Sequence, residues 1–199
     1  MERWDERLSS MLRERGWLAL RLTDVTVYEH RAGEGHRRFV ADSIRQADRV
    51  IPLPKVGVRY PEIAEVAKEI GWAGRNVTST VGIDLIHLIR KIDSGSRATR
   101  WMLSDVGQVD ATADQLVGDL EVFGESFYHE YSTIDGLLNG YGDLVLSAPQ
   151  KLEVAIAFSL RDEFETAKRI VDSLKVDDSI VDGRLRSAIA AFDKPWVPI

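Results

Sequence analysis

The chain contains no cysteine, which removes disulfides, thiol nucleophiles, iron–sulfur clusters and thiolate zinc sites together. Proline is sparse, at six residues, and glycine stands at 15 of 199 positions, so the chain is neither collagenous nor of low complexity. Long apolar runs are missing too. The longest apolar-leaning stretch, 77–92, carries Asp84, His87, Arg90 and Lys91 and falls short of the ~20 residues a membrane helix needs. An excess of basic charge is also absent: 26 Lys+Arg against 32 Asp+Glu give a net charge of −6, which weighs against a nucleic-acid face. Met1 is followed at once by Glu2, Arg3, Trp4, Asp5, Glu6 and Arg7, with no basic start and apolar stretch of a secretory leader, so a cytoplasmic location is expected.

What is present is the composition of a globular protein, 44% hydrophobic and 29% charged. A chain of this length buries roughly 70% of the surface it exposes when unfolded, enough for a core without staples. Trp4, Leu8, Met11 and Leu12 recur at helical spacing before Gly16, which predicts an amphipathic helix over 2–15. Leu18, Leu20 and Leu22 then alternate with Ala19, Arg21 and Thr23, and the alternation resumes out of phase at Val25 and Val27. That pattern predicts one strand with a bulge or break near Asp24. The polar, glycine-bearing run from His30 to His36 leads into an extended 38–41 segment, and an antiparallel hairpin is the simplest connection. Pro52 and Pro54 cannot donate to a ladder and place 50–54 on a sheet edge or in a connection. Val56, Val58 and Tyr60 continue as a strand. Pro61 opens a helix with Ile63, Val66, Ala67 and Ile70 on one face, ended by Gly71. Over 77–89 the apolar residues fall at period two, which predicts a strand, and a looser strand follows at 100–104.

Beyond Asp105 the pattern turns helical. Thr112 with Gln115 reads as a capping box ahead of the stripe Leu116, Leu120, Phe123 and Phe127. A second start at Ser132 or Thr133 opens a short helix broken by Gly140 and Gly142, and Ser147-Ala-Pro-Gln150 is a further capping box with proline in the first turn. Leu152, Ala155, Ile156 and Ser159, then Phe164, Ala167, Val171 and Leu174, form a helical hairpin about the Arg161-Asp162 turn. It is similar to a single tetratricopeptide-type unit, but such arrays need repetition and no second copy follows. Leu185, Ala188, Ile189 and Phe192 mark a last helix before the tail at Pro195, Trp196, Val197 and Pro198. The expected fold class is α+β: a mainly antiparallel sheet with an N-terminal helix over 1–104, then an all-helical half over 105–199, packed together as one unit.

The order of an N-terminal helix ending in Gly16-Trp17, two strands, the Val56-Gly57-Val58-Arg59-Tyr60-Pro61 edge and a helical tail resembles a bacterial family of small uncharacterised proteins. Some members lie near polymorphic toxins and are suspected immunity proteins. The resemblance covers about the first 145 positions. It implies a binding role and carries over no functional residues, because the family offers no defined motif.

Candidate sites are few. His30 and His36 flank the hairpin turn with Glu29 and Glu34 nearby and are the metal candidates, although no strict zinc spacing is present. A histidine in a polar turn is usually just solvated. The catalytic candidates are His87, Asp84 and His129. His87 falls on the apolar phase of the 77–89 strand, where a satisfied core or interface histidine is the ordinary reading. Asp84 falls on the opposite face, as an acid to inspect for a perturbed pKa. His129 stands between Tyr128 and Tyr131 at the end of the long helix, where an imidazolium complements the helix dipole. Asp110 and Asp114 share a helix face and suit acid–base work or, more simply, the dipole of a first turn. Gly71-Trp-Ala-Gly74 lacks the third glycine of a dinucleotide fingerprint. Arg97, Arg100 and Trp101, with Arg37 and Arg38, offer a local anion patch. No cofactor is expected.

The leading functional expectation is a non-catalytic cytoplasmic protein-binding module, of immunity type, neutralising a basic toxin domain. The rival is a small hydrolase or ligand-binding enzyme built on His30, His36 and Asp84. A pocket with convergent titratable groups favours the second, a shallow acidic surface the first. The oligomeric state is not legible.

Overall fold

A computed structural model describes residues 2–22, 25–46, 49–72, 78–95, 101–176 and 183–192. Helix α1 (Glu2–Glu14) is followed by strands β1 (Leu18–Leu22), β2 (Val25–His30), β3 (His36–Gln46) and β4 (Arg49–Arg59), helix α2 (Pro61–Glu69), strand β5 (Val81–Asp84) and helix α3 (Leu85–Ile92). The chain is helical from there on, through α4 (Val109–Asp119), α5 (Glu125–Glu130), α6 (Ile134–Gly140), α7 (Ala148–Ser159), α8 (Phe164–Lys175) and α9 (Gly183–Phe192). The α+β architecture expected from the change of hydrophobic period is the one observed. Among the described residues the sheet is five-stranded and wholly antiparallel, in the order β1-β2-β3-β4-β5.

The helix ends follow local chemistry. Gly16 at φ 81° and Gly71 at φ 84° take the left-handed conformation that stops α1 and α2. Thr133 caps α6 by accepting from the Gly136 N–H at 3.0 Å. At the start of α7 the Gln150 side chain accepts from the Ser147 N–H at 3.0 Å and Pro149 lies in the first turn, as a capping box requires. The proline pair also has its reason. Val50 exchanges hydrogen bonds with Leu103 on the side of β4 away from β3, so Pro52 and Pro54, in the same phase, point their missing donors toward that open side. β5 pairs only with 55–58 of β4, which leaves 52–54 on a sheet edge.

Four expectations need correction. Leu22 pairs with Val25, so 18–30 is not one strand with a bulge but two strands folded back on each other; Thr23 and Asp24 lie outside the described residues. The strand expected over 77–89 ends at Asp84, and Leu85–Ile92 is helix. Period two and period 3.6 both fit a short apolar run. Burying Leu85, Leu88 and Ile89 on one face decided for the helix, with Arg90 and Lys91 at its negative end. Thr112 is interior to α4, which is entered through a 3₁₀ turn at Val106–Gln108, so it caps nothing. Among the described residues the 100–104 strand reduces to a single bridge between Leu103 and Val50. Val77, Gly74, Arg97, Arg100 and the 195–198 tail lie outside the described residues.

Strand alternation divides the sheet into two faces. Tyr28, Phe39, Val56 and Val58 point to the inner face and join one core with Trp4, Leu8 and Leu12 of α1, Leu85 and Ile89 of α3, Leu116 of α4 and Phe127 of α5. Helix α7 is buried on all sides from Leu152 to Ser159. The long helix through α4 and α5 is continuous but carries a π-helical turn at Leu120–Gly124. Its one extra residue per turn leaves Val122 70% exposed and Phe123 half-buried, between the buried Leu120 and Phe127.

Candidate functional site

At the end of α1, where the inner face of β2 and β3 meets the π-turn, lies a cleft of about 170 Å³. Its apolar lining comes from Leu12, Val117 and Leu120, and Trp17, His30 and Tyr128 add aromatic faces. Trp17 lies 5.7 Å from His30 and 6.0 Å from Tyr128 between ring centroids. Two ion pairs close the rim: Arg15 Nε donates to Glu121 and Arg37 Nη1 donates to Glu125, each at 2.5 Å. The Arg37 guanidinium also stands 5.3 Å from the centre of the Tyr128 ring, within cation–π range. Burial drives the Tyr128 phenol well above its ordinary value, and its hydroxyl donates to the Arg38 carbonyl at 2.9 Å. Tyr128 is therefore a neutral wall of the cleft at physiological pH, its hydroxyl engaged with the β3 backbone.

The outer face of the sheet holds a second polar constellation. Glu29 and Arg38 are cross-strand partners, joined by Arg38 Nη2 at 2.6 Å and Nε at 3.0 Å. Gly57 continues the row on β4, and a Cβ there would stand 2.5 Å from Ser79 Oγ. The missing side chain lets the 78–80 segment lie over the sheet, where the Thr78 carbonyl accepts from Arg38 Nη1 at 2.7 Å. Burial pushes the Glu29 carboxyl up, but hydrogen bonds and charge from Arg38, then Arg31 and His36, outweigh it and hold the group below its ordinary value. Nearby, Arg59 Nη1 donates to Glu153 of α7, which is fully buried. The first pair ties β2, β3 and the 78–80 segment together, and the second ties the sheet to α7.

The sequence candidates are distributed rather than assembled. His30 lines the cleft, whereas His36 sits on the outer face with Nδ1 3.5 Å from Glu29, so the two metal candidates do not converge. Among the described residues no group of three or more His, Asp or Glu has metal-binding geometry. Asp84 and His87 do not lie on opposite faces. The strand-to-helix change brings them together across the first turn of α3, 3.3 Å apart and solvent-exposed, so His87 is not a core histidine. His129 is exposed on the last turn of α5 while Tyr128 and Tyr131 are buried, and the three do not form one site. Asp110 and Asp114 are neutralised by Arg3 and Arg7 of α1. Arg37 and Arg38 point to opposite faces of β3, and Trp101 donates to buried Asp119 at 2.9 Å; Arg97 and Arg100 of the same expected patch lie outside the described residues.

Sequence reasoning missed Arg15, Trp17, Glu121 and Glu125 of the cleft and the Arg59–Glu153 pair. The lone acid at 153 within an apolar run was a readable signal. The convergence of α1, β3 and α5 had none.

A different surface carries free charge. Glu62, Glu65 and Glu69 lie on one exposed stripe of α2, and none forms an ion pair among the described residues. Comparison with family models, with curated proteins and with solved structures returns no match. No helix among the described residues is long and apolar enough to cross a membrane.

Proposed function

We propose that the chain is a non-catalytic cytoplasmic binding protein for a basic protein partner, an immunity-type protein that neutralises a toxin domain rich in Lys and Arg. The observation that carries this reading is the α2 stripe of Glu62, Glu65 and Glu69, exposed and forming no ion pair among the described residues. Acids elsewhere, at Asp110, Asp114, Glu121 and Glu125, are each held by an arginine of the same molecule. Unneutralised carboxylates on a rigid helix, in a chain of net charge −6, steer a basic surface into register and reject acidic ones.

A hydrolase or ligand-binding enzyme on a His/Asp site has the cleft beside His30 in its favour. Its proposed set, however, is split between the two faces of the sheet, and the Asp84–His87 pair is solvent-exposed.

A photo-crosslinking residue in place of Glu65 should capture a basic polypeptide in cells that carry the chain. The captured partner should bind the parent chain less tightly as salt rises, and at least about tenfold less tightly after E62K/E65K/E69K. Failure to capture a basic species, or an affinity indifferent to the charge reversal, overturns the reading.

A further inference from the structure

The rim of the cleft is electrically paired but not saturated. Arg37 uses one N–H on Glu125, and Arg15 uses Nε on Glu121 and Nη1 on the Met11 carbonyl at 3.1 Å. That leaves donors on both guanidinium groups, since each carries five N–H. Glu121 and Glu125 each accept through Oε1, which leaves the second oxygen of each open to another donor. The carboxylates stand one helical turn apart across the π-turn, facing arginines from two different elements. The two arginines and two glutamates of the rim sum to zero charge. A lone anion would satisfy the free donors and confront the free carboxylate oxygens, and a lone cation would do the reverse.

We propose that this cleft binds a small zwitterion, a free aliphatic α-amino acid. Its carboxylate takes the open N–H groups of Arg15 and Arg37, its ammonium takes the open oxygens of Glu121 and Glu125, and its side chain packs against Trp17 and Leu120. Size supports this class. A volume of about 170 Å³ equals about six waters at ~30 Å³ each, room for a molecule the size of valine and too little for a dinucleotide. Insertion costs little, because both rim pairs are in part open to water and pairs of that kind are weak. The planar guanidinium of Arg37, seated over Tyr128, is already oriented to present its donors. This site is separate from the α2 stripe, and the inference does not rest on a basic partner.

Titration calorimetry of the full chain with L-valine tests it against two ligands of similar size that each lack one charge, valinamide and 3-methylbutanoate. L-Valine should bind saturably with a Kd of about 1 mM or tighter, and both comparison ligands at least about tenfold more weakly. Arg37→Gln and Glu125→Gln should each weaken valine binding at least about fivefold. E62K/E65K/E69K should leave it unchanged, which separates failure here from failure of the partner-binding reading. Absence of saturable valine binding, or equal binding of either singly charged ligand, overturns the proposal. The ligand comparison uses the parent chain and holds even if a rim variant does not fold.

Discussion

Glu29 shows how a carboxylate can be buried in this fold and remain charged. Burial alone would push the carboxyl up, and the two hydrogen bonds from Arg38, with Arg31 and His36 behind them, outweigh it. A carboxyl held below its ordinary value contributes stability that is fully present above the unfolded value, about 4.3, and is lost as pH falls through the lower folded value. Glu29→Gln should therefore lower the urea midpoint at neutral pH, by about 1.5–3 kcal/mol in stability, and should flatten the acid limb of the stability–pH profile between about pH 5 and 3. An acid limb as steep as that of the parent would locate the acid sensitivity elsewhere. The residue was visible in the sequence only as a neighbour of His30. Its partner nine positions away became evident once the hairpin register placed Glu29 opposite Arg38.

Among the elements, the long helix from Val109 to Glu130 carries the clearest difference between pattern and packing. The stripe Leu116, Leu120, Phe123 and Phe127 reads as one core-facing row, and three of its four members are buried. The π-turn inserts a residue into the row, so Phe123 swings half out while Phe127 stays in the core, 4.7 Å from the Tyr131 ring. Phe127→Ala should cost about 3–5 kcal/mol, the usual price of emptying a buried aromatic site, and Phe123→Ala clearly less. Urea denaturation of both variants beside the parent checks the order, and a larger loss at Phe123 would mean that the helix runs unbroken through 120–124. The same turn sets Glu121 and Glu125 toward Arg15 and Arg37. No propensity in Leu120-Glu-Val-Phe-Gly124 announces it, because a π-turn is selected by what the two flanking helical segments must each bury.

For the whole molecule, the two halves share one core. Helix α1 packs along α4; its Arg3 and Arg7, and Arg15 just past its end, pair with Asp110, Asp114 and Glu121. The tip of the β2–β3 hairpin reaches the helical half as well: the Gly35 N–H donates to the Ser132 carbonyl at 3.0 Å, and Glu34 accepts from the Ile134 N–H at 2.9 Å. Tyr60, just past β4, donates to the Tyr131 carbonyl at 2.7 Å. A fragment of residues 1–104 would expose the inner sheet face and the buried side of α1 that α4 and α5 cover. It should show no cooperative denaturant transition by circular dichroism, whereas the full chain should unfold in one. A sharp transition for the fragment would establish the halves as separate domains.

The sequence by itself determined the class of the fold, because hydrophobic period, capping residues and left-handed glycines act within a few positions of one another. The capping box at Ser147, the stop at Gly16 and the alternation in β3 and β4 are of this local kind. Only the tertiary structure decided that Leu85 begins a helix, that Leu22 turns back on Val25, and that His30 and His36 face opposite sides of the sheet. The physical reason is range. A short apolar run satisfies two periods equally well until a neighbouring surface rewards one of them. The cleft gathers side chains from α1, β2, β3 and α5, distant in the chain, whose proximity exists only after the sheet and the helices have packed.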